Sequence, residues 1–132
     1  METLQLAGLK VVPFAYPFDR DPDMLRLQME KMMSHFGVSW SQANEQKKRL
    51  DAVRSKIWEI DRLTWQENLV GGWDNHIFQL SSSDFNGEPE KFAAEAELFI
   101  EKAKEQPPRE GELRLGYIGV PPIVGEIYDF LE

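Results

Sequence analysis

One long helical run in the middle of the chain constrains the fold more than any other feature. Ser39 and Gln42 stand in the S-x-x-Q arrangement of a capping box, in which each side chain satisfies a backbone amide of the first turn. Val38, just before it, can staple onto Ala43. An apolar stripe of Ala43, Leu50, Val53, Ile57, Ile60 and Thr64 follows close to heptad spacing, and Leu63 broadens it. This pattern predicts a helix over about residues 40–69, stopped by Gly71 and Gly72. Such a helix carries one apolar face that it cannot bury alone. It therefore needs another long helix beside it.

Shorter helices are expected on both sides. Asp21 is a natural N-cap and Pro22 suits the first helical position. Met24, Leu27, Met32 and Phe36 then lie near one stripe, which Leu25 and Met29 widen, and Gly37 is the stop. Trp73, His76, Ile77 and Leu80 fall at i, i+3, i+4 and i+7, which predicts a short helix. The run SSSDFNGE (residues 81–88) reads as a loop with an Asn-Gly turn. Pro89 opens another helix with Phe92, Ala96, Phe99 and Ala103 on one stripe and Ile100 beside it. Residues 106–111 (QPPREG) form a linker of helix breakers.

The two ends read differently. Residues 9–15 (LKVVPFA) predict a short strand, with Pro13 marking an edge because it has no amide to donate. Residues 113–120 (LRLGYIGV) predict a second one. Leu113, Leu115 and Tyr117 would face one side of it, and Ile118 and Val120 the other. A strand apolar on both faces belongs to a parallel sheet covered by helices, and it needs neighbours. The two strands are about 100 residues apart in sequence and make a poor sheet alone. The expectation is a mostly α chain: a helical bridge with one short β-strand near each end, its closing strand-loop-helix reading as the first unit of a doubly wound α/β domain. Residues 1–20 would carry the last strand of a preceding domain and residues 21–106 the helical region. Residues 107–132 would be a linker plus the first strand-loop-helix of a following domain, its helix beginning near Ile123. The residues 113–120 should hide their apolar surface by pairing with residues 9–15, by pairing with a second copy, or by docking on the helices.

Composition narrows the function. The net charge of -8 argues against a nucleic-acid partner and an anionic membrane surface. The basic run at Lys47, Lys48 and Arg49 sits among acids and reads as a solvated helix face. No apolar stretch approaches the roughly 20 residues of a membrane helix. The N-terminus has neither the basic head nor the apolar run of a signal peptide, so a cytoplasmic location is expected. There is no cysteine, which excludes disulfides, thiolate nucleophiles and cysteine-ligated zinc or iron within these residues.

The strongest candidate for a ligand cleft is Gly119, Val120, Pro121 and Pro122, at the carboxyl end of the expected parallel strand, where open α/β sheets bind ligands. The competing reading is a rigid turn that leaves the sheet. No Gly-x-Gly-x-x-Gly fingerprint is present, so a dinucleotide is not implied. His76 beside Asp74 could be a base or a ligand, but no second ligand stands at metal spacing, and a histidine satisfied by a neighbour is the better reading. His35 falls at a helix end, where an imidazolium favours the dipole. Ser81, Ser82, Ser83 and Asp84 lack the sharp turn of a serine nucleophile, and Ser83 or Asp84 reads as a turn cap. Glu95 and Glu97 diverge on a helix as solvated surface. Arg20, Arg26, Trp40, Trp58, Trp65 and Trp73 are either a partner surface or packing between helices.

Four runs carry a resemblance: VPFAYPFDRD (residues 12–21), IDRLTWQEN (60–68), SSSDFNGEPEKF (81–92) and RLGYIGVPPI (114–123) followed by YDFLE. In their order and spacing the chain resembles the 2-hydroxyacyl-CoA dehydratase family, which includes the D-component of 2-hydroxyglutaryl-CoA dehydratase and benzoyl-CoA reductase subunits. The resemblance implies a longer parent of two Rossmann-like domains bridged by helices, paired with a second homologous subunit. It implies a four-iron four-sulfur cluster held by cysteines near the acyl-CoA. It also implies an ATP-dependent activator that delivers one electron, a ketyl radical on the thioester, and loss of water. The benzoyl-CoA relatives use the same machinery for ring reduction. The chain departs from that pattern in having no cysteine, so no cluster ligand and no catalytic residue carries over.

Overall fold

The computed structural model describes residues 2–132 other than Glu112, Arg114, Pro121 and residues 123–125. About 65% of the described residues are helical and none forms a strand. The helices are α1 (Glu2–Leu6), α2 (Pro22–Phe36), α3 (Trp40–Trp65), α4 (Gly72–Ser81), α5 (Pro89–Lys104) and α6 (Glu126–Leu131), with a single 3-10 turn at Phe85–Gly87. Two compact units, residues 1–47 and 48–132, meet within α3.

The first unit is built on local capping. The Asp21 carboxylate accepts from the amides of Asp23 at 2.9 Å and Met24 at 3.1 Å, as an N-cap does. Gly37, at φ 66°, donates to Ser34 O while Val38 donates to Met33 O, the paired bonds of a Schellman ending. The capping box forms: the Ser39 amide donates to Gln42 Oε1 at 2.9 Å, and the Gln42 amide to Ser39 Oγ at 3.3 Å. The Arg26 guanidinium lies 5.8 Å from the Trp40 ring. None of the described residues of this unit is buried.

The second unit holds the core. Val53, Ile57, Ile60 and Leu63 of α3 are buried with Phe92, Ala96, Ile100 and Ala103 of α5, and Val70 and Phe85 close the cluster. α5 is thus the long helix that the heptad stripe requires. Three ion pairs flank the seam: Arg49 with Glu90, Lys56 with Glu97, and Glu59 with Lys104 at 2.9 Å. The numbers rise together along both helices, so α3 and α5 run parallel, and α4 lies in the crossover between them. Arg62 also binds Glu59, at 2.8 Å, and Glu67. Hydrogen bonds from Arg62 and then Lys104 hold the Glu59 carboxyl down at about 2.

Phe85 illustrates how packing enforces an unfavourable backbone. It sits at φ 55°, a region that bulky side chains avoid. Its ring is buried 5.6 Å from that of Phe92, and the Arg54 guanidinium lies 5.4 Å from it. Asp84 caps the turn by accepting from the Asn86 amide at 3.0 Å.

Several expectations need correction. Residues 9–15 and the described part of 113–120 are irregular backbone, not strands. A strand exists only through a ladder, and neither segment has a neighbour to pair with among the described residues; Pro13 and the glycines at 116 and 119 weaken them further. Nor does the second segment bury itself: Leu113, Leu115, Tyr117, Ile118 and Val120 are 59–99% exposed. α3 ends at Trp65, four residues short of Leu69, because Asn68 turns left-handed at φ 56° and the Leu69 amide bonds back to Leu63 O. Gly71 and Gly72 do not stop α3; they begin α4. α1 was not anticipated. Residues 123–125 of the last expected helix lie outside the described residues.

Candidate functional site

The start of α4 is a close-packed junction. Gly71, its N-cap, has no side chain with which to bond the first turn. The Glu132 carboxylate, just after α6, takes that place by accepting from the Gly72 amide. A carboxylate at a helix N-terminus is favoured by both the free amides and the dipole. Arg109 donates to the same carboxylate at 2.8 Å, while its backbone amide donates to Asn68 O at 2.7 Å and its carbonyl accepts from the Asn68 side chain. A β-carbon on Gly72 would lie 2.6 Å from Glu132 Oε1 and 3.1 Å from the Tyr128 ring, so the close approach depends on glycine.

One turn along α4, His76 Nδ1 lies 2.8 Å from the Tyr128 hydroxyl. Trp73 stacks on His76 with the rings 5° from parallel and meets Tyr128 edge-on at 5.6 Å. Burial, and then the nearby Tyr117 and Glu132, push the Tyr128 phenol up from its ordinary value. Tyr128 therefore stays a neutral phenol with a proton to share with the imidazole.

His76 also lines an open cleft of about 400 Å³ together with Gln79, Leu80, Ser82, Ser83, Tyr117 and Gly119. Of the four residues singled out from sequence, Gly119 is in its wall. Val120 is exposed, and its carbonyl accepts from the Tyr117 hydroxyl. Pro122 is half-buried and is not among the described residues of the cleft wall, and Pro121 lies outside the described residues. Ser82 is occupied as a donor to Gln79 O at 2.6 Å. Among the described residues, no acidic side chain and neither lysine nor arginine lines the cleft, so the described wall suits a neutral polar group better than a metal or a free phosphate.

His76 is the satisfied histidine anticipated, with Tyr128 as the neighbour. Glu97 is engaged by Lys56. Sequence reading missed Tyr128, Glu132 and Arg109. The pair Gly71-Gly72 could have pointed to them, since adjacent glycines beside a tryptophan often mark a place where another segment comes close.

Among the described residues, no group of three or more His, Cys, Asp or Glu side chains could hold a metal ion. With no cysteine in the chain, the residues present do not fit an iron–sulfur cluster. No described helix is long and apolar enough to cross a membrane. No protein-family model matches the chain, and neither a curated protein nor a solved structure matches it.

Proposed function

We propose that residues 1–132 are part of a subunit of the 2-hydroxyacyl-CoA dehydratase type, which removes water from a 2-hydroxyacyl-CoA, or of the related benzoyl-CoA reductase. The reading rests on the four sequence runs in their order. One observation supports it most: the runs at 81–92 and 114–123 come together at one cleft, through Ser82, Ser83, Tyr117 and Gly119. In this reading residues 21–106 are the helical bridge, and residues 9–15 and 113–120 become strands only when the rest of two α/β domains pairs with them. The cleft then faces the acyl-CoA with Gly119 in its wall, and in the complete parent Val120, Pro121 and Pro122 would extend that wall. The cluster belongs to cysteines of the parent outside these residues. The partners are a second homologous subunit and an ATP-dependent activator, in the cytoplasm. These residues alone carry no catalysis.

The test is the reading frame and its product. The frame around these residues should encode cysteines on both sides, and the anaerobically purified product should contain iron and sulfide in equal amounts, whereas residues 1–132 alone should bind neither. A complete frame without cysteine, or iron and sulfide bound by residues 1–132 alone, would overturn the proposal.

A second reading, a helical interaction module without catalysis, is favoured by the apolar side chains of residues 113–120 that stay exposed. In that reading the chain self-associates through this segment and α3. Analytical ultracentrifugation at micromolar concentration decides it: a strict monomer removes the reading.

A further inference from the structure

We propose that α6 is a detachable clasp that closes on α4 and, by doing so, takes His76 out of use in the cleft. Four observations carry this. First, the described residues of α6, Glu126–Leu131, add no side chain to the buried core of the second unit. Second, none of its described residues is buried, and its apolar Phe130 and Leu131 point to solvent, 87% and 51% exposed. The grip is instead the Tyr128 ring edge-on against Trp73 at 5.6 Å together with specific polar ties: Tyr128 on His76 at 2.8 Å, Glu132 on the Gly72 amide, and Arg109 on Glu132 at 2.8 Å.

Third, the receiving surface is shaped for the clasp, because a β-carbon at Gly72 would meet both Glu132 and the Tyr128 ring. Fourth, α4 keeps its own hold on the α3–α5 core through Phe78, whose ring lies 4.9 Å from that of Phe99 and 5.9 Å from that of Phe92. The clasp can therefore leave without opening that core. When it leaves, Nδ1 of His76 loses its partner while the imidazole still lines the cleft. A ligand there gains a second nitrogen to bond. The closed clasp is thus an internal competitor for the histidine.

The experiment is residue-resolved amide hydrogen exchange by NMR on the 132-residue chain, comparing it with the double variant Y128F/E132L. Tyr128→Phe loses the hydroxyl and Glu132→Leu loses both acceptor oxygens, so neither side chain can make its polar tie. The amides of Phe130, Leu131 and Glu132 should be protected in the parent chain and exchange at least about ten-fold faster in the variant. The amides of Ile60, Leu63, Ala96 and Ile100 should keep their protection, which also shows that the variant is folded. Three results would each overturn the proposal. One is no protection of the α6 amides in the unsubstituted chain. Another is unchanged α6 exchange in the variant. The third is loss of protection by the α6 and core amides together, which makes α6 part of the global unit.

Discussion

Replacing Ile60 with alanine should remove about 3.5 kcal/mol of stability from residues 48–132. Ile60 is fully buried, on the α3 stripe that faces Phe92, Ala96 and Ile100. The substitution deletes three carbons, and their transfer from water contributes about 0.8 kcal/mol each, or about 2.4 kcal/mol. If on the order of 50 Å³ stays unfilled, the cavity adds about 1.2 kcal/mol at roughly 24 cal/mol per Å³. The control is Leu98→Ala on α5, where the side chain is 51% exposed and the loss should stay below about 1 kcal/mol. Urea unfolding followed by circular dichroism is the assay. With a slope of about 1.5 kcal/mol/M, I60A should lower the midpoint by about 2 M at unchanged slope. A loss under about 1 kcal/mol for I60A, or an equal loss for L98A, would mean that the heptad face is not the core.

Glu59→Gln tests the Arg62–Glu59–Lys104 cluster. The Glu59 carboxyl sits at about 2 against an ordinary 4.5, so its contribution is present above pH 4.5 and fades as the pH falls toward 2. Solvent screens the pair, and the expected contribution is about 1 kcal/mol near neutral pH. A stability difference between parent and variant that stays constant from pH 6 to pH 2 would refute the assignment. Asp21→Ala removes the two amide bonds of the α2 cap and should cost about 1 kcal/mol. With no buried residue among the described residues of the first unit, the loss should appear as faster amide exchange in α2 alone, and equal effects on α5 would contradict it.

Helix starts and stops were the most legible part of the sequence, because they depend on a few neighbouring atoms. Asp21, Gly37, the Ser39–Gln42 box and Pro89 act locally and lie where the side-chain chemistry puts them. The stripe on α3 was legible too, but its partner was not: periodicity says that a face must be covered and not by what. The terminal segments misled for a related reason. Residues 113–120 have a strand's composition, yet a strand is a property of a pair, and no pairing segment exists among the described residues. The site was the least legible. Glu132 and Gly72 are 60 positions apart and Tyr128 and His76 are 52 apart, and no local pattern in either segment announces the other. Gly71 and Gly72 read as the stop of α3, whereas they begin α4.

The parallel course of α3 and α5 has a mechanical consequence. In an antiparallel hairpin, tension applied at the open ends peels contacts apart one at a time. Here residues 48 and 104 lie at opposite ends of the seam, so tension between them runs along both helix axes. The Arg49–Glu90, Lys56–Glu97 and Glu59–Lys104 pairs and the apolar stripe between them are then sheared at the same moment. Pulled at those points, the second unit should resist until the whole seam slides and then yield in a single step.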